Sequence, residues 1–238
     1  MPSDDPREVR WHVARNPADW LARALDHVHR AERQALAERG VFHLVLAGGN
    51  TPGPLYQALA AGDHAWPRWH LWFGDERCLP AEHPERNSVM AGQRGVDRLA
   101  AAGARVHAIG AEAGPEAAAR AYAGELSGLG PFDLVLLGLG QDGHTASLFP
   151  GLEWGTGEDA PDVLPVRGAP KPPPQRVSLS ARRLARSRTV LFLVAGADKQ
   201  DALARWRRGE ALPAAAIRPA GGVDVLMDAD AGPPGEAT

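Results

Sequence analysis

The chain has one cysteine, Cys78, among its 238 residues. No internal disulfide can form, and a reducing compartment suits the composition. Neither sign of charge dominates: 26 Lys and Arg stand against 29 Asp and Glu, a net −3. That balance offers no electrostatic reason to expect nucleic acid or an anionic membrane as a partner. No apolar run approaches the ~20 residues that span a bilayer. The opening residues, MPSDDPREVR, are polar and acidic, unlike a signal or transit peptide, so the expected location is the cytoplasm. Several chemical motifs are also missing. There is no HExxH, no cysteine pair, and no close histidine pair with a carboxylate at ligand spacing, so no metal site is expected. His27 and His29, two apart on a predicted helix, point to different faces. The absence of G-x-S-x-G excludes a nucleophile elbow.

What is present is alternation. Val41–Ala47, Trp69–Phe73, Phe132–Leu137, Thr189–Val194 and Val223–Met227 read as strands, several of them almost continuously apolar. Such runs suit strands covered on both faces. Val9–Val13 and Arg176–Leu179 are weaker strand candidates. Asn16 can cap a helix that starts at Pro17 and stops at Gly40. Further helices are predicted over Pro52–Ala61, Asn87–Ala101, Pro115–Leu126 and Asp198–Arg208, with Asp198 as the cap of the last. The expected fold is α/β: a doubly wound, mostly parallel sheet with helices on both faces, in one domain spanning 1–238. Residues 151–175, rich in Pro and Gly and ending in GAPKPPPQ, read as a surface excursion within that domain rather than a linker. Residues 1–8 and 229–238 are expected to be flexible.

In open α/β sheets, ligands sit beyond the carboxyl ends of the strands. Four polar clusters fall there. Gly48-Gly49-Asn50-Thr51-Pro52 follows the strand ending at Ala47; its glycines allow close approach, and Pro52 opens a helix whose free N–H groups favour an anion. An ordinary strand–helix turn would look the same, and neither the Walker pattern nor G-x-G-x-x-G is matched. Gly74-Asp75-Glu76-Arg77 follows WHLWF, as either a functional cluster or a solvated turn with a local ion pair. Cys78 beside it reads as a packed small residue. Gly138, Gly140 and Gly143 surround Asp142 and His144. An imidazole titrates near ~6.5, so it can take a proton from water, and a carboxylate two residues away can orient it. The other eight histidines read as structural. Ser147 has no motif behind it, so water is the expected nucleophile. Lys199, in Gly196-Ala197-Asp198-Lys199, is placed where a bound anion would offset an unfavourable helix dipole, although a solvent-facing lysine fits as well. Arg176 is a further candidate cation.

With these clusters identified, the chain resembles the 6-phosphogluconolactonases, in the superfamily that includes glucosamine-6-phosphate deaminase/isomerase. The resemblance runs from about Val9 to Asp228. It rests on LAGGNTP (46–52), WHLWFGDERCLP (69–80), HPERNSVMA (83–91), FDLVLLGLGQDGHTASLFPG (132–151), RVSLS (176–180) and LVAGADK (193–199). It implies hydrolysis of 6-phospho-D-glucono-1,5-lactone to 6-phosphogluconate in the oxidative pentose phosphate pathway, without metal or organic cofactor. By resemblance, His144 is the general base and Asp142 helps position it. Asp75 and Arg77 line the lactone end, with Arg77 able to stabilise an oxyanion. Gly48, Gly49, Asn50 and Thr51 form the sugar-phosphate loop, Asn87 keeps a family position, and Arg176 and Lys199 hold the phosphate. The family loop usually has Ser where this chain has Asn50, and Ser-Asn-Tyr where it has Arg86-Asn87-Ser88. The expected partner is a small sugar-phosphate lactone, and the expected assembly a monomer or weak homodimer. Two alternatives are a glucosamine-6-phosphate deaminase and a non-catalytic sugar-phosphate sensor. The deaminase signature carries a proton-shuttling Glu where this chain has Phe149. The sensors carry a helix-turn-helix segment, and about 40 residues precede the first strong strand here, enough for one strand and one long helix.

Overall fold

A computed structural model describes residues 9–232. The chain runs β1 (Val9–Val13), α1 (Pro17–Arg39), β2 (Phe42–Leu46), α2 (Gly53–Ala60), β3 (Trp69–Phe73), β4 (Asp75–Arg77), α3 (Asn87–Ala91) and α4 (Asp97–Ala101). It continues through β5 (Arg105–His107), α5 (Pro115–Glu125), β6 (Phe132–Leu137), β7 (Val163–Val166) and β8 (Arg176–Leu179). It ends with α6 (Ala181–Ala185), β9 (Ser187–Val194), α7 (Gln200–Arg207) and β10 (Val223–Met227).

Seven strands form one sheet in the order β1-β10-β9-β6-β2-β3-β5, with every neighbouring pair parallel. Phe132–Leu137 is buried at all six positions, as its unbroken apolar run requires of a central strand. Each such Leu or Val removed from water stabilises the fold by about 1.5–3 kcal/mol. The order reverses between β2 and β6: chain after β2 proceeds outward to β3 and β5, whereas β6, β9 and β10 build the other way. Connections leaving two adjacent strands in opposite directions open a crevice at their carboxyl ends.

Local signals place the first helix. The Asn16 side chain accepts from Asp19 N, Pro17 opens the first turn, and Gly40 at φ 70° closes the last. His27 and His29 do face apart: His27 lies 3.9 Å from Asp224, while the His29 ring meets that of His64.

Several expectations need correcting. Arg176–Leu179 does not complete the large sheet; with β4 and β7 it makes a separate antiparallel sheet in the order β4-β8-β7. The 151–175 excursion contains the strand β7, which the Pro and Gly content concealed. Asn87–Ala101 is not one helix. It has a wide turn at Gly92–Val96, where Gly95 takes φ 125° and its backbone closes on Tyr56 and Ala60. Asp198 does not cap α7; its carboxylate instead accepts from Gln141 and Lys199, and a 3-10 turn over Ala197–Lys199 leads into the helix. Of the tail expected to be flexible, 229–232 form a turn that buries Ala231 and bonds back to Asp228; 233–238 and 1–8 lie outside the described residues.

Candidate active site

The crevice at the switch between β2 and β6 is a cleft of about 310 Å³. Its walls come from the segments after β2 (Gly48, Gly49, Thr51), β3 (Asp75, Arg77), β6 (Gly138, Gly140, Gln141, His144, Ala146) and β9 (Ala195, Lys199), with Arg176 arriving from β8 and Lys171 from the loop before it. Eight of the eleven site residues expected from the sequence line it, and Asp142 stands behind the wall, bonded to His144. Asn50 does not line it: it is exposed, and its carbonyl accepts from Gly53 N in the turn. Asn87 lies beneath the wall rather than in it, buried behind Asp75.

The β6 end is built around an imidazole. His144 Nδ1 and Asp142 Oδ1 are joined by a short hydrogen bond, and the same oxygen receives His144 N at 3.3 Å. The glycines make room for this pair. A Cβ on Gly140 would stand 1.9 Å from His144 Nδ1, and Gly143 turns at φ 87°. Ala146 follows in the left-handed region at φ 47°, a position that costs a non-glycine residue about 1 kcal/mol or more. The Phe149 ring packs 4.6 Å from the imidazole, centre to centre. Burial lowers the His144 pKa; its bond to Asp142 opposes this, and the charges of Lys171 and Arg176 add to it. Burial alone would raise Asp142, but the His144 bond and charge, its backbone N–H and Lys171 together hold the carboxyl below its usual range. With Asp142 ionised, the proton on Nδ1 is the one donated, and Nε2 keeps its lone pair. No hydrogen-bond partner holds Nε2 among the described residues.

The β3 end holds a second carboxylate. Asp75 is buried and accepts from Asn87 Nδ2 at 2.9 Å and from Ser147 Oγ at 2.5 Å. Burial raises its pKa, against the Ser147 bond and the Arg176 charge. Glu76, fully buried, accepts from the backbone N–H groups of Arg77, Asn87 and Ser88 at 2.7–2.9 Å, so it fastens the start of α3 behind the cleft. Arg77 donates from Nη1 to Glu85 O at 2.6 Å, and its Nε has no partner among the described residues. Cys78 beside it packs against the core, its thiol pushed up to about 11 by burial.

Lys199 stands on the β9 side, its Nζ 2.7 Å from Asp198 Oδ2, which Gln141 also reaches at 2.7 Å. Arg176 is buried to 6% exposure, and its Nε and Nη2 donate to the carbonyls of Pro173, Lys171 and Pro172. Three participants were not singled out from the sequence. Lys171 looked like part of a proline-rich surface segment. Ser147 has no motif that marks it in the sequence, and here it is a hydrogen-bond donor to Asp75. Gln141 carried no signal. A basic residue amid prolines that fix its backbone was the one visible hint for Lys171.

The fold also gathers a histidine pair and a carboxylate that spacing did not reveal. His12 of β1 is 2.8 Å and His27 of α1 is 3.9 Å from Asp224 of β10. Arg10 holds both oxygens of that carboxylate at 2.9 and 2.7 Å, so its charge is already compensated. Asp224 is the second residue of β10, near its amino end, whereas the cleft lies at the carboxyl ends of the strands.

The family model described as glucosamine-6-phosphate isomerases/6-phosphogluconolactonase matches residues 15–226. A 6-phosphogluconolactonase of Synechocystis is 40% identical over 225 residues, covering 89% of this chain and 92% of that protein. One from Streptomyces coelicolor is 43% identical over 188 residues, covering 71% and 72%. The crystal structure of 6-phosphogluconolactonase from Thermotoga maritima superposes with a TM-score of 0.83 at 28% identity, covering 93% of this chain and all of that one. No described helix is long and apolar enough to cross a membrane. A matched model over most of the chain, two relatives at 40% identity or more, and a shared fold make the chain a member of the glucosamine-6-phosphate isomerase/6-phosphogluconolactonase family.

Proposed function

We propose that the protein hydrolyses 6-phospho-D-glucono-1,5-lactone to 6-phospho-D-gluconate, a reading supported by relatives named 6-phosphogluconolactonase, and that His144 is the base. The observation that carries this is His144, bonded to Asp142 and lining one cleft together with Gly48, Gly49, Thr51 and Lys199. His144 Nε2 takes a proton from water, and the hydroxide adds to the lactone carbonyl carbon. Negative charge grows on the carbonyl oxygen, where an arginine such as Arg77, whose Nε has no partner among the described residues, can stabilise it. The tetrahedral species collapses by breaking the bond to the ring oxygen, which leaves as the C5 hydroxyl with the proton held on Nε2. Asp142 keeps the ring oriented and offsets its transient positive charge. Lys199 and the N–H groups of the 48–51 loop hold the phosphate at the far end. Asp75 lines the lactone end, supported by Asn87 and Ser147. The reaction belongs to the oxidative pentose phosphate pathway and calls for no organic cofactor or metal.

The competing aldose–ketose chemistry needs a proton shuttle where Phe149 stands. That ring is fully buried against His144 and carries no titratable group, which favours hydrolysis.

The test is acid release from freshly generated 6-phosphogluconolactone, measured above spontaneous opening, with glucosamine 6-phosphate as control. Acceleration of the first and no ammonia from the second are expected. A rate equal to background, or ammonia release, overturns the assignment.

A further inference from the structure

Four cations line the cleft, and the family resemblance assigns two of them, Arg176 and Lys199, to the phosphate. The geometry divides the work differently. Arg176 sits 6% exposed with its guanidinium 5.5 Å from the centre of the Phe149 ring. Its Nε reaches Pro173 O at 3.1 Å, and its Nη2 reaches Lys171 O at 3.2 Å and Pro172 O at 3.0 Å. Three consecutive carbonyls therefore converge on one buried guanidinium. A side chain committed this way fixes backbone; among the described residues only its Nη1 makes no hydrogen bond. The segment it fixes carries Lys171, half-exposed at the rim of the cleft.

Lys171 Nζ lies 3.8 Å from Asp142 Oδ1, the oxygen that also binds His144 Nδ1. One carboxylate oxygen thus separates the ammonium from the imidazole. At 3.8 Å this is an ion pair without a hydrogen bond, so the three N–H donors of Lys171 remain for a ligand. Lys199 is on the β9 side, bonded to Asp198.

We propose that Lys171 is a further catalytic residue, its ammonium facing the lactone carbonyl and the carboxylate formed from it, and that Arg176 is the positioning residue that holds Lys171 there. This rests on the lactonase reading. The cation serves twice. It stabilises charge growing on the carbonyl oxygen, a contribution of about 10²-fold or more for one well-placed donor. It also disfavours protonation of His144, whose charged neighbours are Asp142, Lys171 and Arg176, and so keeps the base available.

The experiment uses the full chain with Lys171→Met, Lys171→Arg, Arg176→Met and the double variant. It measures kcat, KM and the pH dependence of kcat/KM on 6-phosphogluconolactone, with thermal melts to verify folding. Lys171→Met keeps the stem and removes the charge at a half-exposed site, so folding should persist. Its kcat should fall about 10²-fold, with the acid limb moved to higher pH because the imidazole has lost a neighbouring cation. Lys171→Arg should recover most of kcat. Arg176→Met should lower kcat, and adding it to Lys171→Met should cost little more, since both remove one function. The inference is overturned if Lys171→Met keeps kcat within twofold and its acid limb in place. It is overturned also if the loss lies in KM and disappears with unphosphorylated gluconolactone, which would make Lys171 a phosphate ligand. An inactive wild type sinks the lactonase reading itself; an active wild type with a fully active Lys171→Met sinks only this inference.

Discussion

Gly48 and Asn87 are in contact through the absence of a side chain: a Cβ on Gly48 would lie 2.3 Å from Asn87 Oδ1. The carboxamide occupying that space donates to Asp75 at 2.9 Å from the side-chain oxygen and 3.0 Å from the carbonyl. A glycine in the loop after β2 therefore decides where a carboxylate after β3 stands.

Gly48→Ala must push Asn87 aside, and the buried Asp75 then loses a donor. We expect kcat/KM to fall by about 10²-fold, the cost of an ångström-scale misplacement, in a protein that still folds by circular dichroism. Gly124 in α5 has nothing within 4 Å of the space a Cβ would fill. Gly124→Ala should leave activity unchanged and gain about 0.5–1 kcal/mol in urea denaturation. Equal effects from the two would refute the packing argument.

His144→Ala should cost about 10²–10⁴-fold in kcat, the usual worth of a general base, with binding of 6-phosphogluconate retained by calorimetry. In the wild type, burial lowers the His144 pKa, so the base is deprotonated further into acid than a free imidazole. The acid limb of kcat/KM should consequently fall below pH ~6.5. A limb well above that value contradicts the environment described for the ring.

Ser147→Ala removes the hydroxyl 2.5 Å from Asp75 and leaves that buried carboxylate one donor short. A loss of about 1–3 kcal/mol in stability is expected, with slower but measurable turnover. With water as the proposed nucleophile, rapid-mixing kinetics on the wild type should show no acyl-enzyme burst. A burst that vanishes in Ser147→Ala would instead make Ser147 the nucleophile.

Acid should loosen the fold through a row of histidines across β2, β3 and β5. His70 Nδ1 is 3.0 Å from His107 Nε2, Trp72 Nε1 donates to His43 Nδ1 at 3.1 Å, and Trp72 stacks on His107 at 3.7 Å. Burial, then charge from His70, Arg39, His107 and Arg183, lowers His43 to about 4. His70 and His107 are lowered too, by burial first, with Glu125 partly restoring His107. Groups neutral in the fold but protonated when unfolded make the unfolded state bind more protons. Their stabilising effect is complete above pH ~6.5 and is lost as pH falls toward 4. Melting temperatures at pH 7 and pH 5 should drop less in His43→Gln, which keeps an acceptor for Trp72, than in the wild type. Equal drops would exclude the row as the cause.

The sequence alone determined the elements whose signals are local. A six-residue apolar run such as Phe132–Leu137 has no stable place except the middle of a sheet, and Asn16, Pro17 and Gly40 mark a helix wherever it packs. It also placed Asp142 and His144 in one turn, because they stand two positions apart with Gly143 bending the chain between. Tertiary structure decided what depends on distant partners. Arg105–His107 is too short to announce a strand and exists because it pairs with β3. Arg176–Leu179 reads as any strand does; only its pairing with Asp75–Arg77 and Val163–Val166 put it in a separate sheet. Asp75 meets Ser147 across 72 positions of chain, and Lys171 meets Asp142 across a proline-rich segment that no periodicity describes. Residue periods and caps record the backbone within a few residues; hydrogen bonds between side chains far apart in sequence arise only once the sheet has brought their strand ends to one cleft.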